Sequence, residues 1–147
     1  STVSAMMDTR NFRLLRVFSF FIFMLSLTAC TEPPYTNLDN AQLKALLDNG
    51  TPIIDIRRPD EWRQTGVIKN SQLLTFVDNG GRLLANFLPT FTQKIRKNDP
   101  VILICRTGNR SSSLAKHLIE NMGYTNIYNV RNGITSWIGD NQPVSRL

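Results

Sequence analysis

The run Val101-Ile102-Leu103-Ile104-Cys105-Arg106-Thr107-Gly108-Asn109-Arg110-Ser111 places one thiol between an apolar stretch and a cationic, glycine-containing segment. Val101 to Ile104 is a continuous apolar run, the pattern of a strand buried on both faces of a sheet. Beyond it, Leu114, Ala115, Leu118, Ile119 and Met122 recur at helical spacing, and Gly123 supplies a stop. Cys105 is therefore expected at a strand's C-terminal end, in the loop that opens a helix, where open α/β sheets place their ligands. Backbone N–H groups of such a turn favour a bound anion. Arg106 and Arg110 add full positive charge, and a thiol placed there is favoured as the nucleophilic thiolate. A buried structural cysteine would leave two arginines and a glycine around it without a reason.

The missing partners narrow the chemistry. His117 is the only histidine, and it lies off the apolar face of its helix, so it is not placed as a catalytic base. One His and one available Cys cannot assemble a metal site, and no cofactor is implied. Nucleophilic chemistry at Cys105 would then have to run without a general base, which an already ionised thiol allows.

Four segments then carry a family resemblance. C-R-T-G-N-R-S before an amphipathic helix resembles the active-site loop of the rhodanese sulfurtransferases, which carry a persulfide on that Cys. Asp55-Ile56-Arg57-Arg58-Pro59-Asp60-Glu61-Trp62 is similar to the family's D-x-R-x-x-x-E-[WY] segment, Gly66-Val67-Ile68 to its G-H-I, and Asn132-Gly133-Ile134-Thr135-Ser136-Trp137 to its G-G-x-x-x-W. The resemblance spans about Asn37 to Val144, with the motifs in family order. Val67 stands for a usual His, Asn70 for a usual Gly, and Asn132 for the first Gly of the pair. The resemblance implies a single-domain sulfurtransferase: Cys105 moves a sulfane sulfur from thiosulfate or a similar anionic donor to cyanide or a thiol acceptor. Arg106, Thr107, Gly108, Asn109, Arg110 and Ser111 would bind the donor, with Asp55 and Arg57 as a supporting ion pair.

Two other functions compete. Phosphatases of this fold use C-x5-R, whereas Cys105 to Arg110 is C-x4-R, a narrower cradle suited to sulfur more than to a phosphoryl group. A non-catalytic sulfur carrier or partner-binding module of rhodanese type would usually lack the cysteine that is present here.

The order of elements is that of an α/β protein with a mainly parallel central sheet and helices on both faces. Asp39 and Gln42 form a capping box for a helix through Leu46 and Leu47, stopped at Gly50. Pro52 to Ile56 reads as a strand and Pro59 to Arg63 as a short helix with Pro in its first turn. Ser71 to Phe76 reads as a strand, followed by a turn at Asn79-Gly80-Gly81. Leu83 to Ile95 has helical periodicity interrupted by Pro89, which predicts a kink or two helices. Asn126 to Val130 is expected as a strand and Ile134 to Ile138 as a last helix. Gly108 is expected at positive φ, and Ser111 to Ser113 as an N-cap run or, more sharply, as a hydroxyl contact to sulfur. Arg110 is expected to hold the anion or to cap the persulfide. Glu61 and Trp62 read as capping and packing, and Trp137 as core.

A chain of 147 residues suits one compact domain. Net charge is +6, but from Cys30 onward 14 Lys and Arg stand against 10 Asp and Glu, leaving +4. With no basic run interleaved with aromatics, nucleic-acid binding has little support, and a small anionic substrate fits the local charge better. A monomer is expected.

Residues 1–29 read as a signal peptide. Arg10, Arg13 and Arg16 precede an apolar core from Val17 to Leu27, too short to span a bilayer comfortably. Leu27-Thr28-Ala29-Cys30 resembles the bacterial lipobox, which implies that Cys30 is acylated and becomes the mature N-terminus. An uncleaved anchor helix is the alternative. Thr31 rather than Asp after Cys30 would permit transfer to the outer membrane, and the expected location is the bacterial cell envelope, facing the periplasm. Residues 30–36 would be the lipidated Cys and linker, and 37–147 the domain. Ser1 to Ala5, ahead of Met6 and Met7, are a candidate cloning remnant. If Cys30 carries lipid, Cys105 is the one free thiol; a Cys30 to Cys105 disulfide is the competing pattern.

Overall fold

The computed structural model describes residues 31–147. Five strands, β1 (Thr36–Leu38), β2 (Ile53–Asp55), β3 (Gln72–Leu73), β4 (Val101–Ile104) and β5 (Ile127–Val130), alternate with five helices. These are α1 (Asn40–Asp48), α2 (Pro59–Thr65), α3 (Phe87–Lys94), α4 (Asn109–Met122) and α5 (Gly133–Gly139). The strands form one sheet in the order β1-β5-β4-β2-β3, and every neighbouring pair is parallel.

β4 sits at the centre because its side chains are apolar on both faces. Val101, Leu103 and Cys105 pack with α3 and α4 through Phe87, Phe91, Leu114, Ala115 and Leu118. Ile102 and Ile104, one residue out of phase, pack on the other face with Leu43 of α1 and with Ile134 and Trp137 of α5. All four β4 residues are fully buried, so the strand that delivers Cys105 is fixed on both sides.

Local signals set the element ends. Asp39 accepts from the Gln42 amide at 2.8 Å while Gln42 accepts from the Asp39 amide at 2.9 Å, the reciprocal cap that starts α1. Gly123 ends α4 in the left-handed conformation, φ 76°.

Three expectations change. The strand read over Ser71 to Phe76 shortens to Gln72–Leu73. Leu74 and Phe76 still donate to the carbonyls of Asp55 and Ile56, but these lie at and beyond the end of β2, where the ladder has run out. Pro89 does not kink a helix. Leu83 belongs instead to a hairpin, bridged to Val77, and α3 starts at Phe87. Pro89 is then its third residue, in the turn whose N–H groups lack intrahelical acceptors, so the proline removes no helix bond. Ser111 to Ser113 do not cap α4. Gly108 takes the N-cap position and puts all three serines inside the helix.

Candidate active site

Cys105 follows β4 directly, and its side chain is buried beneath the loop that leads into α4. Its Sγ accepts from the Gly108 amide at 3.1 Å and from the Ser111 amide at 3.4 Å. The Ser111 hydroxyl lies 3.2 Å away. The amides of Arg106, Thr107, Asn109 and Arg110 have no acceptor among the described residues, which leaves the turn rich in donors for an anion above the sulfur.

Neighbouring backbone holds this loop. The amides of Ile134 and Thr135, opening α5, donate to the carbonyls of Cys105 and Arg106 at 2.9 and 3.1 Å. Gly108 has φ 96° and lies so close to the Arg131 carbonyl that a Cβ would collide with it. Gly133, φ 66°, lies equally close to the Arg106 carbonyl. Both glycines are needed for positive φ and for close approach of backbone.

The other expected site residues are distributed around it. Arg106, Thr107 and Asn109 are exposed, and Gly108 is buried. Asp55 and Arg57 form an ion pair at 2.9 Å with both side chains fully buried. Arg57 also donates to Thr65 Oγ1 and to the carbonyls of Glu61 and Gly66, and Trp62 Nε1 donates to Asp55 Oδ1 at 3.1 Å. This cluster fixes α2 against the end of β2.

Arg110, expected to hold the anion or to cap the persulfide, also has a protein partner. Its Nη1 and Nη2 donate to Glu61 Oε2 and Oε1 at 2.8 and 2.6 Å, a two-point carboxylate bond. Glu61 Oε2 also accepts from the Arg58 amide at 3.0 Å and so caps α2. Burial pushes the Glu61 carboxyl up, but the Arg110 hydrogen bond, the Arg58 amide and the charges of both arginines outweigh it, lowering its pKa from 4.5 to about 2. The hydrogen bonds that Arg110 donates to Glu61 raise its pKa above the ordinary value. Sequence reading placed Glu61 as capping and packing and missed its bond to Arg110. The two residues are 49 apart, and no local pattern links them.

A cleft of about 530 Å³ adjoins the loop, lined in part by Arg58, Phe76, Leu83, Asn109, Arg110 and Ser113. A second cavity, about 470 Å³, lies by the start of β2 among Lys44, Pro52, Trp137 and Pro143, and no residue of the Cys105 loop lines it.

The rhodanese-like domain model matches residues 39–140. The chain belongs to the rhodanese-like family. Thiosulfate sulfurtransferase GlpE of Tolumonas auensis is 30% identical over 104 residues, covering 70% of this chain and 88% of that protein. Rhodanese-like domain-containing protein 17 of Arabidopsis thaliana is 27% identical over 121 residues, covering 80% and 77%. In structure, the polysulfide-sulfur transferase of Wolinella succinogenes superposes with a TM-score of 0.61 at 22% identity, covering 89% of this chain and 90% of that one. This last likeness is one of fold. Within a rhodanese-like domain, the thiol at the end of the central strand and the donor-rich loop around it form the candidate active site.

Proposed function

We propose that the chain is a sulfurtransferase of thiosulfate type working through a persulfide on Cys105. The observation that carries the reading is the sulfur itself, held at 3.1 to 3.4 Å from two amides and a hydroxyl. These donors suit an anionic sulfur, and the unpaired amides beside them suit a second anion. The Cys105 thiolate attacks the outer sulfur of thiosulfate, the sulfur–sulfur bond breaks, and its electron pair leaves with sulfite. One negative charge stays on the new persulfide. Cyanide or a thiolate acceptor then attacks the outer sulfur, taking it as thiocyanate or as a new persulfide and restoring the Cys105 thiolate. Neither step needs a base, provided both nucleophiles enter ionised. The family membership and the named thiosulfate sulfurtransferase among the relatives support this reading.

The test is an intact-mass spectrum after thiosulfate treatment. Wild type should gain the mass of one sulfur and lose it to cyanide, and Cys105→Ser should show neither the adduct nor sulfur transfer. An adduct persisting in the Ser variant overturns the assignment. For location we propose what the N-terminal pattern suggests, an acylated Cys30 holding the domain at the bacterial envelope; residues 1–30 lie outside the described residues.

A further inference from the structure

Glu61 touches two arginines at once, and both line the cleft beside the Cys105 loop. It binds Arg110 at two points, and Arg58 Nη1 lies 3.7 Å from its Oε2. One carboxylate thus faces two guanidinium groups and does not exhaust the N–H donors of either. Arg58 is the less committed of the two. Its remaining ion pair, Nε to Asp60 at 3.3 Å, is with a carboxylate that is largely exposed, and such pairs hold weakly. Asp78, the acid that lines the cleft, has its Oδ1 turned into its own hairpin, accepting from the amides of Gly80 and Arg82 at 2.8 and 2.9 Å.

Resting on the sulfurtransferase reading, we propose that Arg58 and Arg110 together bind the sulfonate end of the donor, and that Glu61 is the positioning residue that sets them side by side. The loop amides take the outer sulfur at Cys105, and the cleft takes the charged end. A guanidinium has five N–H donors, so Arg110 keeps N–H groups for a ligand after both Glu61 bonds, and Arg58 keeps most of its own. This arrangement favours a dianionic donor over a singly charged one, because the added charge meets two guanidinium groups that keep free N–H donors, while Asp60 is largely exposed and Asp78 is bonded within its own hairpin. It also gives the D-x-R-x-x-x-E segment a task at the site. Asp55 and Arg57 fix α2, and α2 carries Glu61 and Arg58 to the cleft.

The test is steady-state kinetics with thiosulfate and, in parallel, the singly charged methanethiosulfonate anion. Arg58→Gln should raise KM for thiosulfate about tenfold, the worth of one hydrogen bond to a charged group, with kcat within about twofold. Arg58→Lys should recover most of that loss. KM for methanethiosulfonate should move much less in either variant. Glu61→Ala should raise the thiosulfate KM at least as far, since it releases both arginines. Arg58 caps α2 through its backbone amide alone, because an arginine side chain has no acceptor. Arg58→Gln should therefore fold even if Glu61→Ala does not. Equal KM values for wild type and Arg58→Gln with thiosulfate, or equal shifts for both donors, would overturn the proposal. If wild type forms no persulfide with thiosulfate, the sulfurtransferase reading fails instead, a result visible by mass before any variant is made.

Discussion

Glu61 shows how much one buried carboxylate can carry. It caps α2 and anchors Arg110, and these hydrogen bonds and charges bring its pKa down from 4.5 to about 2 in spite of burial. A group whose folded pKa is lowered contributes stability that is full above its unfolded value and is lost as pH falls through the folded one. Glu61→Gln should therefore be less stable than wild type above pH 4.5, with the difference shrinking as pH falls towards 2. Urea midpoints measured across that window check it; a difference that stays constant with pH would mean that the carboxylate's charge does not contribute. The sequence made the thiol and its loop legible because they are contiguous, with strand, nucleophile and turn in eleven residues. Ser111 reached the sulfur for the same local reason. Glu61 lay inside a recognisable segment, yet its partner depends on where α2 lands relative to α4, which no spacing along the chain encodes.

At the scale of elements, the parallel sheet was legible because alternating apolar runs and amphipathic stretches have few other solutions. The misreadings fall where local pattern underdetermines structure. Ser71 to Phe76 has strand-like residues but runs past the end of β2, and Pro89 is harmless because the helix starts late. The departures from the family motifs also have plain reasons. Asn70 takes φ 68°, a left-handed conformation that Asn tolerates better than most residues. Asn132 has φ −109° and needs no glycine, whereas Gly133 supplies the positive φ and the close approach to the Arg106 carbonyl. The Asp55–Arg57 pair makes a sharper prediction. With both side chains fully buried, Arg57→Met should leave an uncompensated carboxylate and cost about 3–5 kcal/mol. The same change should lower sulfur transfer through misplacement of α2. Chemical denaturation checks the first part, and a loss below about 1 kcal/mol, the range of an exposed ion pair, would show that the pair is not isolated from solvent.

For the whole molecule, attachment in the cell turns on a second cysteine. Cys30 stands directly after Leu27-Thr28-Ala29 at the end of an apolar core preceded by three arginines. The fold begins with β1 at Thr36, and Tyr35 already packs against the core, so Glu32-Pro33-Pro34 lies between them, a composition that favours an extended spacer. No helix among the described residues is long and apolar enough to cross a membrane. A single acyl chain gives only marginal membrane binding, and two or more make it stable. In a bacterial host, the full chain should therefore partition to membranes with an acylated Cys30 and without residues 1–29. Cys30→Ala should abolish lipid labelling and lipoprotein-type cleavage while leaving the thiosulfate reaction of purified protein unchanged. A chain starting after Cys30 should be soluble and equally active, because none of the residues placed around Cys105 precedes Asp55. Recovering wild type in the membrane with the apolar segment attached and no lipid on Cys30 would replace the lipoprotein reading with an uncleaved anchor.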